Sequence, residues 1–223
     1  MVELLVVIVI IAVMASLGFV GTVRFIENGR RVSAANQFKE FRDGLTLYTS
    51  DYNHPPLSDE KRAAGEDTVF GVSKKDPQYS NGFLIAVLAG ESENIPYKTS
   101  KYDISEVNPR GESLMQFTFN PNKKNGVGPD GIFYDPWGKE IMVAVNAFQA
   151  TSGSDALMEE NPGSPGINDN HLETYFYGEY KDKKPRDEAF VFWTYGKDGK
   201  KGNGTVNPQK VVIYAKTDDV VSW

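Results

Sequence analysis

Cysteine does not occur anywhere in this 223-residue chain, which removes disulfides, thiolate metal ligands and cysteine nucleophiles together. Histidine is nearly as scarce. His54 and His171 are the whole supply, and neither stands in a His-Glu-x-x-His arrangement, so zinc chemistry has no support. There is no Gly-x-Ser-x-Gly and no Gly-Lys-(Ser/Thr), hence neither a nucleophile elbow nor a phosphate-cradling loop. The chain reads as non-enzymatic. An excess of positive charge is also missing: the formal net charge is −6, which gives nucleic acid no electrostatic foothold. Proline is absent before Pro55, leaving room for a long unbroken helix, and no basic residue precedes Arg24. A secretory signal peptide would open on positive charge and carry a shorter apolar core.

What is present starts at the first residue. Met1 to Val23 is a continuous apolar run, rich in Val and Ile, with one charge, Glu3, near its start. A run of that length predicts a membrane span, and a carboxylate at its mouth is costly enough in lipid to imply a role. Gly18 and Gly21 are the flexible points within it. Beyond Arg24, the residues Ala34, Phe38, Phe41, Leu45, Tyr48 and Tyr52 recur at alternating spacings of four and three, with Lys39, Glu40, Arg42 and Asp43 on the other side. That is one apolar face of an amphipathic helix. Together the two stretches predict one helix from Val2 to Tyr52, about 75 Å long at 1.5 Å per residue. Gly29 and Gly44 weaken it by about 1 kcal/mol each, and Asn53-His54-Pro55-Pro56 ends it.

The rest divides into two regions. Residues 58–130 read as variable, with residues 58–80 polar and rich in turn formers. Gly82 to Ala89 is a short buried helix stopped by Gly90, and loops surround short strands over 91–130. Residues 131–223 read as a β-region: Glu140–Val145, Ala189–Tyr195 and Val211–Ala215 are strand candidates, and 149–170 is a loop. The predicted fold class is α+β, a long N-terminal helix (1–23 apolar, 24–54 amphipathic) packed on an antiparallel sheet within a head spanning 24–223. Trp137, Trp193 and Trp223 read as core or interface anchors.

The segment Val2-Glu3-Leu4-Leu5-Val6-Val7-Ile8 resembles the N-terminal helix of type IV pilins and type II secretion pseudopilins. Met1 then reads as an internal methionine of a mature helix that starts upstream. Tyr48 to Pro56 is similar to the end of the same helix in major pseudopilins. Three further motifs in order, Asp135-Pro136-Trp137-Gly138, the glycine-rich Tyr195 to Gly204 and the closing Asp218 to Trp223, resemble the major (G-type) pseudopilin. The likeness covers residues 1–56, 131–146 and 190–223. It implies a pilin-like fold and a structural subunit of a helical filament, held in the inner membrane before assembly and in a periplasmic or surface filament after it. The partners it implies are further copies of the chain, minor pseudopilins, an assembly platform and a prepilin peptidase that processes and methylates the N-terminus.

For individual residues the resemblance implies two roles. Glu3 would pair with the N-terminal amine of a neighbouring subunit and set axial register. A second reading keeps Glu3 at headgroup level, favoured by its own helix N-terminus. Asp198, Asp218 and Asp219, with the Tyr195 carbonyl, would hold Ca²⁺, which takes six to eight oxygen ligands. The alternative there is an ordinary Asp-Gly turn beside a solvated acidic tail, and Asn207-Pro208 and 211–215 separate the two halves of the set. Two other functions stay open: a surface type IV pilus subunit for adhesion, motility or DNA uptake, and a membrane-tethered binding domain or enzyme.

Overall fold

The computed structural model describes residues 2–64, 68–71, 79–91, 96, 99, 101–147, 189–200 and 217–222, of which 15–23 and 64 by backbone alone. Helix α1 is one uninterrupted element, Val2–Tyr52, 51 residues long. It stops where Asn53 turns into the left-handed region at φ 59° while its N–H still reaches the Thr49 carbonyl at 2.8 Å. Asn tolerates that conformation, and the two prolines after it cannot continue a helix.

The face predicted from spacing is the face that packs. Ala34, Phe38, Phe41, Leu45 and Tyr48 are buried, and Tyr52 is half-buried. Phe41 stands at the centre, its ring 5.4–5.7 Å from those of Phe117, Phe133 and Phe192. Gly44 lets another element approach: a Cβ there would lie 2.5 Å from Met115 Sδ.

Helix α2 (Asp59–Ala64) follows, then strand β1 (Thr68–Phe70), helix α3 (Asn81–Ala89), the short strands β2 (Gly126–Val127) and β3 (Phe133–Tyr134), and strands β4 (Met142–Val145), β5 (Phe190–Thr194) and β6 (Val220–Val221). The main sheet is antiparallel throughout in the order β1-β4-β5-β6, with Phe70 opposite Val143, Val143 opposite Phe192, and Trp193 opposite Val221. β2 and β3 form a separate antiparallel pair. Phe70, Val143, Val145, Phe190, Phe192 and Val220 join the α1 side chains in one core. The alternate residues Val69, Met142, Ala144, Val191, Trp193 and Val221 are buried too, so neither face of the sheet is bare. The strands read as continuous apolar runs for that reason.

The α+β class is therefore observed, with some departures in detail. The sheet is not confined to the C-terminal region: β1 comes from the stretch read as polar and irregular. β4 begins at Met142 rather than Glu140: the Glu140 backbone bridges to Tyr134 of β3, and its Oε1 accepts from Ser80 Oγ and the Asn81 N–H, both at 2.8 Å. That contact anchors the start of α3, which ends at Gly90 (φ 64°) as predicted. Residues 220–221, read as part of an acidic tail, form the edge strand β6. The strand expected at Val211–Ala215, the loop at 149–170 and Trp223 lie outside the described residues.

Candidate functional site

The first candidate surface is the N-terminal part of α1. From Val2 to Met14 its large apolar side chains are 49–77 % exposed, and Glu3 is exposed among them, with no other charge in that stretch. The first α1 side chain buried in the head is Ala34. Between them Phe25, Ile26 and Val32 are also exposed. Contiguous apolar surface on this scale marks an interaction or membrane-embedded surface. Among the described residues no helix is long and apolar enough to cross a membrane, the side chains of the run being described only as far as Met14.

The Asp-Pro-Trp-Gly motif sits at the junction of this helix and the head. Asp135 is fully buried. Its Oδ1 accepts the backbone N–H groups of Trp137 and Lys139, each at 2.8 Å, and its Oδ2 accepts a short hydrogen bond from Thr194 Oγ1 on β5. Burial pushes this carboxyl above the usual Asp range, although the three donors pull the other way. Gly138 closes the turn at φ 84°, and Trp137 Nε1 reaches out to Glu27 Oε1 on α1 at 2.7 Å. The motif thus ties β5, a tight turn and α1 together. Sequence reading singled out the motif but not this task; the signal was a small acid before Pro-x-Gly, a pattern suited to a turn closed by its own side chain.

The far end of α1 is held as firmly. Tyr48 Oη donates to the Val107 carbonyl at 2.6 Å and Tyr52 Oη to Asn108 Oδ1 at 2.5 Å. Asn108 Nδ2 in turn donates to the carbonyls of Val87 and Glu112 at 2.8 and 2.9 Å. Asn81 does the same for the middle of the head: Nδ2 donates to the carbonyls of Phe133 and Ile141, and Oδ1 accepts from the Phe133 N–H. Neither asparagine carries a sequence signature beyond being polar beside apolar runs.

The second candidate is the acidic loop. The turn 196–199 starts at Gly196 (φ 59°), whose missing Cβ admits the Asp218 carbonyl at 2.1 Å from the Cβ position. The Asp198 N–H donates to Asp218 Oδ2 at 2.9 Å, and Asp198 Oδ1 accepts from the Lys200 N–H at 2.7 Å. The Tyr195 carbonyl accepts from the Gly199 N–H at 3.2 Å. Asp198 and Asp218 are thus brought together across a long sequence gap, and Asp219 beside them is 1 % exposed. The donor set is all oxygen, which suits calcium. Among the described residues, however, no three His, Asp or Glu side chains gather as a metal site.

No protein-family model, no characterised protein and no solved structure matches this chain.

Proposed function

We propose that this chain is a structural subunit of a helical filament, a pilin-like protein most similar to the major pseudopilin of type II secretion. One observation carries the reading: a single helix is apolar and exposed over Val2–Met14 and becomes the buried spine of the head from Ala34 on, without a break between them. A plain tether has no need of continuity, since a flexible linker serves it equally well. A subunit that packs helix against helix in a bundle and displays its head outside needs the two halves rigidly joined. Before assembly the apolar half is held in the inner membrane; in the filament, neighbouring helices replace lipid by van der Waals packing. Glu3 then finds its cation in the N-terminal ammonium of the next subunit, since a buried carboxylate is unstable without one.

Electron microscopy of material sheared from cells expressing the chain with its upstream leader tests this. Ordered filaments containing the chain are expected, and none with Glu3→Ala. Normal filaments from Glu3→Ala would sink the register role, and a chain left monomeric in the membrane would sink the filament role. Calcium at Asp198, Asp218 and Asp219 is part of the same reading. It would pin the last strand to the glycine-rich turn, and chelation is expected to lower the melting temperature of the wild-type protein but not of Asp218→Ala.

A further inference from the structure

The chain is acidic as a whole, with a net charge of −6, yet its described charges separate by height along α1. Around the end of α1 at Tyr52 the carboxylates dominate. Asp51 is on the helix itself, Glu106 accepts the Asp59 N–H, and Glu112 lies 4.0 Å from Arg110, the cation seated over the Tyr52 ring. At the other end of the head, where α1 leaves it, the sign reverses.

Five contacts fix which segments lie at that lower level. Trp137 on Glu27 places the turn 135–139 there. Ser33 Oγ on Asn125 Oδ1, at 2.5 Å, places the turn 121–125 beside it, and a Cβ on Gly138 would lie 3.3 Å from Lys124 Cγ. A Cβ on Gly199 would lie 2.8 Å from Lys139 Cε, which brings the turn 196–200 alongside. Arg31 Nη2 on the Thr217 carbonyl adds the approach to β6. The turns 121–125 and 135–139 and the approach to β6 therefore pack on one side of α1 between Glu27 and Ser33, with the turn 196–200 against Lys139, while Phe25, Ile26 and Val32 stay exposed on the helix. The three turns point Lys124, Lys139, Lys197 and Lys200 into solvent, beside the exposed Arg24 and Arg30. Among the described residues the carboxylates at this level are Glu27, Asp130, Asp198 and Asp218, with Asp135 and Asp219 buried. Asp130 is engaged with Lys123 at 2.6 Å, and Glu27 with Arg30, itself one of the exposed cations, at 3.7 Å.

This group of cations lies next to the point where the apolar run ends. From Val2 to Val23 the helix rises about 33 Å, close to the hydrocarbon thickness of a bilayer. A helix spanning that thickness leaves Arg24 and the following turn in the headgroup layer. Trp137, with its polar edge on Glu27, then stands at the depth where indole rings concentrate. We propose that the underside of the head is a docking surface for anionic phospholipid headgroups, which hold the subunit upright on the bilayer before it enters the filament. The inference rests on the membrane reading of residues 1–23. Headgroups fit better than a free phosphate, because the exposed cations are spread over several turns and α1 near the helix exit and do not line a pocket.

The test uses the full chain reconstituted into lipid nanodiscs, either of phosphatidylcholine alone or of equal parts phosphatidylcholine and phosphatidylglycerol. Acylation of each lysine is followed by mass spectrometry. Lys124, Lys139, Lys197 and Lys200 are expected to react about fivefold more slowly in the anionic discs, an effect reversed by high salt. Lys61, on α2 beyond the other end of α1, is expected to react alike in both. Lys124→Glu combined with Lys139→Glu should reduce the protection left at Lys197 and Lys200. Equal rates in the two discs overturn the proposal while leaving membrane insertion intact. Protection already present in neutral discs and rising with the number of chains per disc assigns this surface to a second copy, and likewise overturns it. Failure to co-migrate with neutral discs overturns the membrane reading itself, and is seen separately from the lysine rates.

Discussion

Asp135 ties the turn 135–139 to β5 through three hydrogen bonds. Asp135→Ala leaves two N–H groups and the Thr194 hydroxyl without their acceptor in a dry site, and is expected to cost about 3 kcal/mol in chemical denaturation. Asp135→Asn keeps an oxygen for the two N–H groups and is expected to cost about 1 kcal/mol. The pair also differ from wild type in pH response. Because burial raises this carboxyl, the folded state binds its proton more tightly than the unfolded chain does. Stability from this group is full below the ordinary Asp pKa and is lost as pH climbs through the raised folded value. Asp135→Asn should remove that part of the slope in unfolding free energy against pH; an unchanged slope would place the titration elsewhere, Glu140 being the next buried carboxyl raised in the same way. At this scale the sequence was legible only as a motif. Nothing in Asp-Pro-Trp-Gly says that its acid reaches Thr194 or its indole Glu27, since both partners are set by tertiary packing. The same holds for Asp198 and Asp218, whose proximity depends on a turn that only Gly196 permits.

Elements follow from sequence where the apolar period is long. α1 gives many turns of a repeating pattern and a proline pair beyond its end, so its course and its C-terminal limit could be read. α3 is short but bracketed by Ser80 and Gly90, and is stopped for a physical reason. A Cβ at Gly90 would lie 2.5 Å from the Gly111 and Glu112 carbonyls, at a φ of 64°. Gly90→Ala is expected to lose about 2 kcal/mol in thermal or denaturant unfolding. Phe41→Ala, which empties the place where α1 meets the sheet, is expected to lose about 4 kcal/mol. β1 and β6 could not be read, because three and two residues are too few to show a period and their pairing is decided by β4 and β5. α2 was missed for the same reason, although its Asp59-Glu60 start and Lys61-Arg62 end complement a helix dipole. Glu140 was read as strand because it adjoins one, whereas its carboxylate serves α3.

For the whole molecule, the long apolar projection and the head behave as separable parts of one rod. The described side chains of Val2–Met14 are exposed, and burial in the head begins at Ala34. Leu5→Lys combined with Ile8→Lys is therefore expected to abolish self-association in sedimentation. The near-ultraviolet melting curve of the head should stay unchanged. A lowered head transition would show that the two parts are coupled in stability as well as in sequence. The joint between them is Trp137 on Glu27, and Trp137→Phe is expected to raise amide exchange over residues 24–30 while leaving α3 protected.

The path of α1 through the head also decides how the protein bears a pull. A rod seated at the margin of a domain can be peeled off one contact after another. Here Phe38, Phe41, Leu45 and Tyr48 all lie inside the core, and Tyr48 and Tyr52 are moored at the remote end. Traction along Val2–Met14 must therefore shear every one of these contacts at once, so strain is shared along the shaft.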